Sequence, residues 1–447
     1  MEYIKVTVSL VLFACFLSGT FVNTAGRTVI NKKEQDWGYV DVRPQAHMFW
    51  WLYKSSKQPS LSQPLVIWLQ GGPGGSSCGF GNFMEIGPLD VNLNPRNTTW
   101  MSKVNILFID NPVGTGYSYV DNIDAMTTDV HGIALDLVTV IKAFIKKHDE
   151  FKTVPLYIFS ESYGGKMTVA FSLELHTAIQ NKEVTCDFRG LALGDSWISP
   201  IDSVMTWGPY LYATSLVDIK GMSAVNGVAN KCQHAIEKGD WKNATELWSD
   251  AESTIEELTD NVNFYNILQH NADEQNVVEK KFLEDKYLDY LYRRHVGYMD
   301  NDALSNLMNG KIKDQLGIPK NVTWGGQSGE VFSTQAEDFM KPVVDTVDQL
   351  LSSTNLSVVV YNGQLDLIVD TPGTEMWMSD LTWDGIKEFD KAKRTPLYVD
   401  GRIGDTAAFV KTYKTLSFYW ILNAGHMVPI DAGDMALKMM AMITGTE

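Results

Sequence analysis

The segment Phe159-Ser160-Glu161-Ser162-Tyr163-Gly164-Gly165 holds the residues best placed for nucleophilic chemistry. It is one glycine short of G-x-S-x-G, where a serine stands on a tight strand-to-helix turn. Such a turn needs small residues two before and two after the nucleophile, because strand and helix approach closely there. Ser162 has Ser160 and Gly164 at those positions, whereas Ser160 would have the bulky Ile158. Ser162 is therefore the candidate nucleophile. A plain Ser-Gly turn without chemistry is the competing reading, and partners decide between the two.

A serine needs a base, and the base needs a carboxylate to orient it. On an α/β sheet the order is Ser, then Asp or Glu, then His, each at the C-terminal end of a strand. Of the 8 histidines, His426 alone directly follows a late apolar run, in WILNAGHMVPID, where Gly425 and Pro429 suggest an exposed, fixed loop. Upstream, VVVYNGQLDLIVD delivers Asp366, with Asp370 as runner-up because it lies beyond a further apolar run. The tetrahedral intermediate needs two backbone donors. Tyr163, after the nucleophile, supplies one, and Gly72 in the glycine-rich WLQGGPGGSS supplies the other. That loop lacks the Lys-Ser/Thr of a phosphate-binding loop and the G-x-G-x-x-G spacing, so it does not read as a nucleotide site. No metal or cofactor is expected.

The elements that must hold these residues are short apolar runs: 64–70, 104–110, 155–160, 190–195, 356–363 and 416–425. Their apolarity is continuous rather than alternating, which predicts strands covered on both faces, as in a parallel sheet. Ile133, Leu137, Val140, Ile141, Phe144 and Ile145 mark one face of a helix over about 128–148. Strands alternating with helices give an α/β fold. Residues 201–335 read differently: acidic, amphipathic and without strand-like runs. They predict a helical lid inserted between the two parts of the core, 26–200 and 336–447.

Composition bounds the class. The chain is 45% hydrophobic with 13 Trp, enough for a large core, and its net charge of −17 argues against nucleic acid as partner. One lysine and an apolar run over Val6–Val22 precede Ala25 and Gly26. That pattern predicts a cleaved leader over 1–25 rather than an anchor, since no charge cluster follows, and no membrane anchor is expected in the mature chain. Sequons begin at Asn97, Asn243, Asn321 and Asn355. With the leader they predict a glycosylated protein of the secretory pathway, secreted or lysosomal. Beyond Cys15, the cysteines are Cys78, Cys186 and Cys232, an odd set that allows a Cys186–Cys232 bridge. Oligomeric state is not legible.

Several blocks together resemble the serine carboxypeptidases: GYVDVRPQAHMFWWLYKS (38–55), PLVIWLQGGPGGSS (64–77), GNFMEIGPL (81–89), FIDNPVGTGYSY (108–119), YIFSESYGGK (157–166), GLALGDSWISP (190–200), VYNGQLD (360–366) and AGHMVPID (424–431). They run in family order over nearly the whole mature chain. The resemblance implies an α/β-hydrolase fold with a mostly parallel sheet and a helical lid. It also implies removal of C-terminal residues from peptides or small proteins in acid. It carries the triad onto Ser162, Asp366 and His426, and the oxyanion hole onto Gly72 and Tyr163. It assigns the substrate carboxylate to Trp68, Gln70, Glu85 and Glu161, which requires at least one protonated glutamic acid beside that anion. The chain departs from the family at Gln70, where many members have Asn, and at Gly75, where a bridging cysteine is usual. The rival readings are an acyltransferase or esterase on the same scaffold, and a binding protein with a vestigial site.

Overall fold

The computed structural model describes residues 34–271, 293–297, 299, 302–399, 401 and 404–447; the expected leader over 1–25 lies outside them. Among the described residues, eleven strands make one sheet: β1 (Gln35–Arg43), β2 (Ala46–Tyr53), β3 (Leu65–Leu69), β4 (Asn105–Ile109), β5 (Tyr119–Val120), β6 (Pro155–Glu161), β7 (Asp187–Gly194), β8 (Ser357–Gly363), β9 (Thr395–Tyr398), β10 (Thr406–Tyr413) and β11 (Leu416–Ile421). Their order is β1-β2-β4-β3-β6-β7-β8-β11-β10-β9, with β5 beside β2. From β4 to β11 every neighbour is parallel. The flanking hairpins β1–β2 and β9–β10 are antiparallel.

The central strands are apolar throughout because both faces are covered. Leu65, Ile67 and Leu69 of β3 enter one core cluster. Val66 and Trp68 enter the other, alternating with them along the strand. Helix α1 (Val130–Lys147) buries Ile133, Leu137, Val140, Ile141 and Phe144. Asp129 caps it by accepting the Gly132 N–H, so it begins two residues later than its periodicity suggests. Asp136 lies on the buried face and accepts the Arg43 guanidinium at 2.7 and 2.9 Å. Helix α2 (Tyr163–Gln180) follows β6 directly.

Between the neighbouring strands β7 and β8, the described residues form helices α3 (Pro200–Ala213), α4 (Ile219–Glu237) and α5 (Trp241–Thr259). Shorter helices follow, among them Asp302–Leu307 and Ser328–Thr334. Trp248 of α5 packs edge-on to Trp197, in the segment after β7, and tilted against Phe339, fixing this layer over the C-terminal ends of the strands. The cysteines correct one expectation: Cys78, Cys186 and Cys232 are all free thiols, and no Cys186–Cys232 bridge forms. The Cys232 thiol instead donates to the Ala244 carbonyl between α4 and α5, at 3.4 Å.

Candidate active site

Ser162 lies between β6 and α2 with φ 61° and ψ −130°. That left-handed backbone is costly for a residue with a side chain and persists only where neighbours impose it. They do. The Ser162 N–H donates to the Gly194 carbonyl, and its own carbonyl accepts from Gly165 and Trp197, each at 3.0 Å. The small residues around the turn are there for space. A Cβ on Gly164 would come within 2.4 Å of the Leu69 carbonyl, and one on Gly165 within 2.0 Å of the Ser196 hydroxyl. Ser160 is fully buried on β6 between Leu69 and Leu193 of the adjoining strands.

The candidate base follows β11, three strands from β6 along the sheet. His426, in the loop after β11, places Nδ1 2.7 Å from Asp366 Oδ2 in the loop after β8. Two glycines permit this approach: a Cβ on Gly363 would meet the Gly425 carbonyl at 2.0 Å, and one on Gly425 the Tyr265 carbonyl at 2.1 Å. Contrary to the expected exposed loop, His426 is only 1% exposed. Tyr265, from the segment after α5, covers it edge-on with ring centroids 5.2 Å apart and accepts its backbone N–H. Burial pushes the imidazole down to about 4, against the pull of the Asp195 charge. Asp370 is engaged elsewhere: it accepts the Thr206 hydroxyl at 2.8 Å and caps the helix Thr371–Ser379 through the Gly373 N–H.

Beside Ser162 lies a buried acid pair. Glu161 is 2% exposed, and Glu85, in the helical segment Ser77–Ile86, is fully buried. Trp68 Nε1 donates to Gln70 Oε1 at 2.8 Å, and Gln70 Nε2 donates to Glu161 Oε1 at 2.8 Å. Both Glu85 oxygens and Glu161 Oε2 are left without hydrogen-bond partners. Burial raises Glu85 to about 7, and burial together with the Glu85 charge holds Glu161 well above the usual carboxylate range. Both shifts favour the protonated forms of these two acids. A Cβ on Gly81 would come within 2.4 Å of Trp68 Nε1, so that glycine keeps the indole in place.

A cavity at Ser162 is lined by Gly72, Tyr163, Trp248, Tyr265, His295 and Phe339, among others. Gly72 has φ 112°, and Tyr163 begins α2, where free N–H groups and the helix dipole favour a developing anion. The Tyr163 ring side is fixed by its hydroxyl, which donates to Asp338 Oδ2 at 2.9 Å; the buried Lys166 ammonium meets the same oxygen at 2.9 Å.

Sequence reasoning passed over several participants. A Cβ on Gly71 would sit 2.5 Å from the Ser162 Cβ, so this glycine makes room for the candidate nucleophile. Tyr265 and His295 reach the cavity from the region between β7 and β8, and their hydroxyl and Nδ1 lie 3.1 Å apart. Asp195 ends the apolar run 190–195, and strand-end placement, the criterion applied to Asp366, would have singled it out. Donor atoms of Asp195, Asp366 and His426 lie within 4.8 Å of one another, a spacing a cation could use. The 2.7 Å contact between His426 and Asp366 is instead that of a hydrogen bond and requires a proton there. Asn97, Asn243, Asn321 and Asn355 are all exposed. Among the described residues, no helix is long and apolar enough to cross a membrane.

Residues 26–445 match the family described as serine carboxypeptidase. The retinoid-inducible serine carboxypeptidase of Rattus norvegicus is 53% identical over 443 residues, covering 98% of this chain and 97% of its own length. Serine carboxypeptidase-like 51 of Arabidopsis thaliana is 42% identical, with 98% of both chains covered. Among solved structures, a prohormone-processing carboxypeptidase from Saccharomyces cerevisiae superposes with a TM-score of 0.77 at 21% identity, covering 92% of this chain and 91% of that one.

Proposed function

The chain belongs to the serine carboxypeptidase family and is a serine carboxypeptidase of α/β-hydrolase fold acting on peptides, and from that premise we propose which residues do the work and under what conditions. Ser162 is the nucleophile. Its Oγ attacks the carbonyl of the last peptide bond, and His426 Nε2 takes the proton, since Nδ1 is committed to Asp366. The amides of Gly72 and Tyr163 receive the oxyanion. His426 then hands the proton to the departing amino acid, and water resolves the acyl-enzyme by the same steps reversed.

One observation carries the choice of exopeptidase chemistry at this site: the Glu85–Glu161 pair, buried and short of hydrogen-bond partners, with Glu161 next to the nucleophile in sequence. A protonated carboxyl there donates to the substrate's terminal carboxylate. Gln70 adds the second hydrogen of its Nε2, while Trp68 acts through Gln70 by holding its Oε1. An ester or acyl-transfer substrate without a terminal carboxylate would leave these groups unsatisfied. The pH window follows from the shifts: His426 is a neutral base above about 4, and Glu85 keeps its proton below about 7, with Glu161 raised in the same direction. The reading gives a bell-shaped profile in acid.

The segment 201–335 serves as the lid, with Trp248, Tyr265 and His295 shaping the pocket. The exposed sequons carry glycans acquired along the secretory route. The test is release of the terminal residue from an N-blocked dipeptide at about pH 5. The wild-type protein should release it and be labelled by a fluorophosphonate at Ser162, and Ser162→Ala should do neither. Equal release from the dipeptide amide would refute the role of the acid pair.

A further inference from the structure

Asp195, at the C-terminal end of β7, has no part in the steps above. It is fully buried and held in the left-handed region, at φ 43°. Its backbone N–H donates to the Tyr361 carbonyl at 2.9 Å, and its Oδ1 accepts the Gly363 N–H at 2.7 Å. Oδ2 has no hydrogen-bond partner. Because β7 pairs with β8 in parallel, Gly194 beside Tyr361, the two strand ends present Asp195 and the Asp366 loop side by side. An Asp195 oxygen, an Asp366 oxygen and a His426 ring nitrogen all lie within 4.8 Å of one another.

Two buried carboxylates at that separation repel strongly unless a cation or a shared proton intervenes. His426 can serve only one of them, and its Nδ1 is on Asp366 Oδ2. Resting on the triad reading above, we propose that Asp195 is a protonated carboxyl whose Oδ2 donates to Asp366, making it a positioning residue that restrains Asp366 and lets His426 stay neutral in acid. Donation to Asp366 disperses the charge that would otherwise stabilise the imidazolium. Burial and the Asp366 charge both favour the proton on Asp195. Burial raises Asp366 as well, and the hydrogen bond from Asp195 opposes that rise. The other titratable groups facing this pair are acids or phenols. They are Glu161 from β6, Tyr361 from β8, Asp370 beyond the Asp366 loop and Tyr210 from α3. His426 is the one cation among these groups when protonated. An ionised Asp195 would raise His426, so the proton on Asp195 also protects the base.

The test uses Asp195→Asn, which always donates and never ionises, and Asp195→Leu, which cannot donate. The substrate is an activated ester of an N-blocked amino acid. It lacks a carboxylate, so the Glu85–Glu161 pair does not enter the profile. Asp195→Leu should lower kcat by about 10- to 100-fold with little change in KM, and move the acid limb of the kcat–pH profile upward. Asp195→Asn should recover most of the lost kcat and extend activity toward higher pH. An Asp195→Asn protein as impaired as Asp195→Leu would overturn the proposal, as would a wild-type profile in Asp195→Leu. Should Asp195→Leu not fold, Asp195→Asn still decides: a low kcat, or an unchanged alkaline limb, overturns it. Ser162→Ala run in parallel separates the two readings. Its full activity would sink the triad itself, whereas an inactive Ser162→Ala beside unaffected Asp195 variants sinks only the role of Asp195.

Discussion

Replacing Glu85 and Glu161 together by glutamine tests the acid pair through both stability and binding. In the folded protein burial raises Glu85 from 4.5 to about 7, with Glu161 shifted in the same direction. A carboxyl raised in the folded state contributes its full stability below its unfolded pKa and loses it as pH rises through the folded value. For Glu85, about 2.5 units at ~1.4 kcal/mol each gives ~3 kcal/mol lost between about pH 4.5 and 7. A chain of 447 residues has an unfolding entropy of about 0.9 kcal/mol per kelvin. The wild-type Tm should therefore fall about 3 °C across that range from Glu85, and the double variant should lack that component. Binding gives the second readout. For an N-blocked dipeptide, kcat/KM of the wild type should fall about tenfold per pH unit above the pair's pKa. The double variant should lose that limb, because amides donate at every pH. Calorimetry and steady-state kinetics over about pH 4–8 measure both effects. Identical Tm and kcat/KM slopes in the two proteins would refute a protonated pair at this site.

Gly71→Ala places a Cβ 2.5 Å from that of Ser162, so the nucleophile must shift; kcat should drop by about 100-fold while the melting curve stays cooperative. Asp366→Asn should lose about four orders of magnitude in kcat, whereas Asp370→Asn keeps a competent helix cap and should stay within severalfold of wild type. Lys166→Met leaves the buried Asp338 carboxylate without its cation, and denaturant unfolding should report a loss of about 3–5 kcal/mol. Enzymatic deglycosylation of protein from a secretory host should shift its mass in steps, and Asn97→Gln should remove one of them.

What could be read from the sequence was local, and what could not was set by contacts between distant segments. Strands β3, β4, β6 and β8 announced themselves because they are covered on both faces, which forces unbroken apolar runs. The end strand β9 has Pro396 within it and exposed residues at both ends, so it carries no such signature. The turn at Ser162 was legible because strand and helix crowd each other at fixed offsets in sequence. Gly71 was not, since the side chain it must avoid belongs to a residue on another strand-to-helix turn. His426 looked exposed for a similar reason. Its loop is glycine- and proline-flanked, but the cover comes from Tyr265, in a segment whose fold over the site no local pattern encodes.

Asp195 shows the same limit from the side of charge. A buried aspartate at a strand end is unremarkable until Asp366 and His426 arrive beside it from the other half of the chain. Together with Asp366, Glu85, Glu161 and Asp370 it completes a set of five fully or nearly fully buried carboxyls around the C-terminal ends of the sheet, all raised above the usual range with burial as the largest cause. Such a set is tolerable only while it holds protons, because each ionisation after the first must be made against burial and against its neighbours. Acid therefore favours the folded state and the donors that would hold a peptide's carboxylate, while the depressed His426 keeps a base available there. Glu85 gives up its stability between about pH 4.5 and 7, whereas activity that needs its proton falls only above about 7, so on the alkaline side the loss of stability should precede the loss of activity.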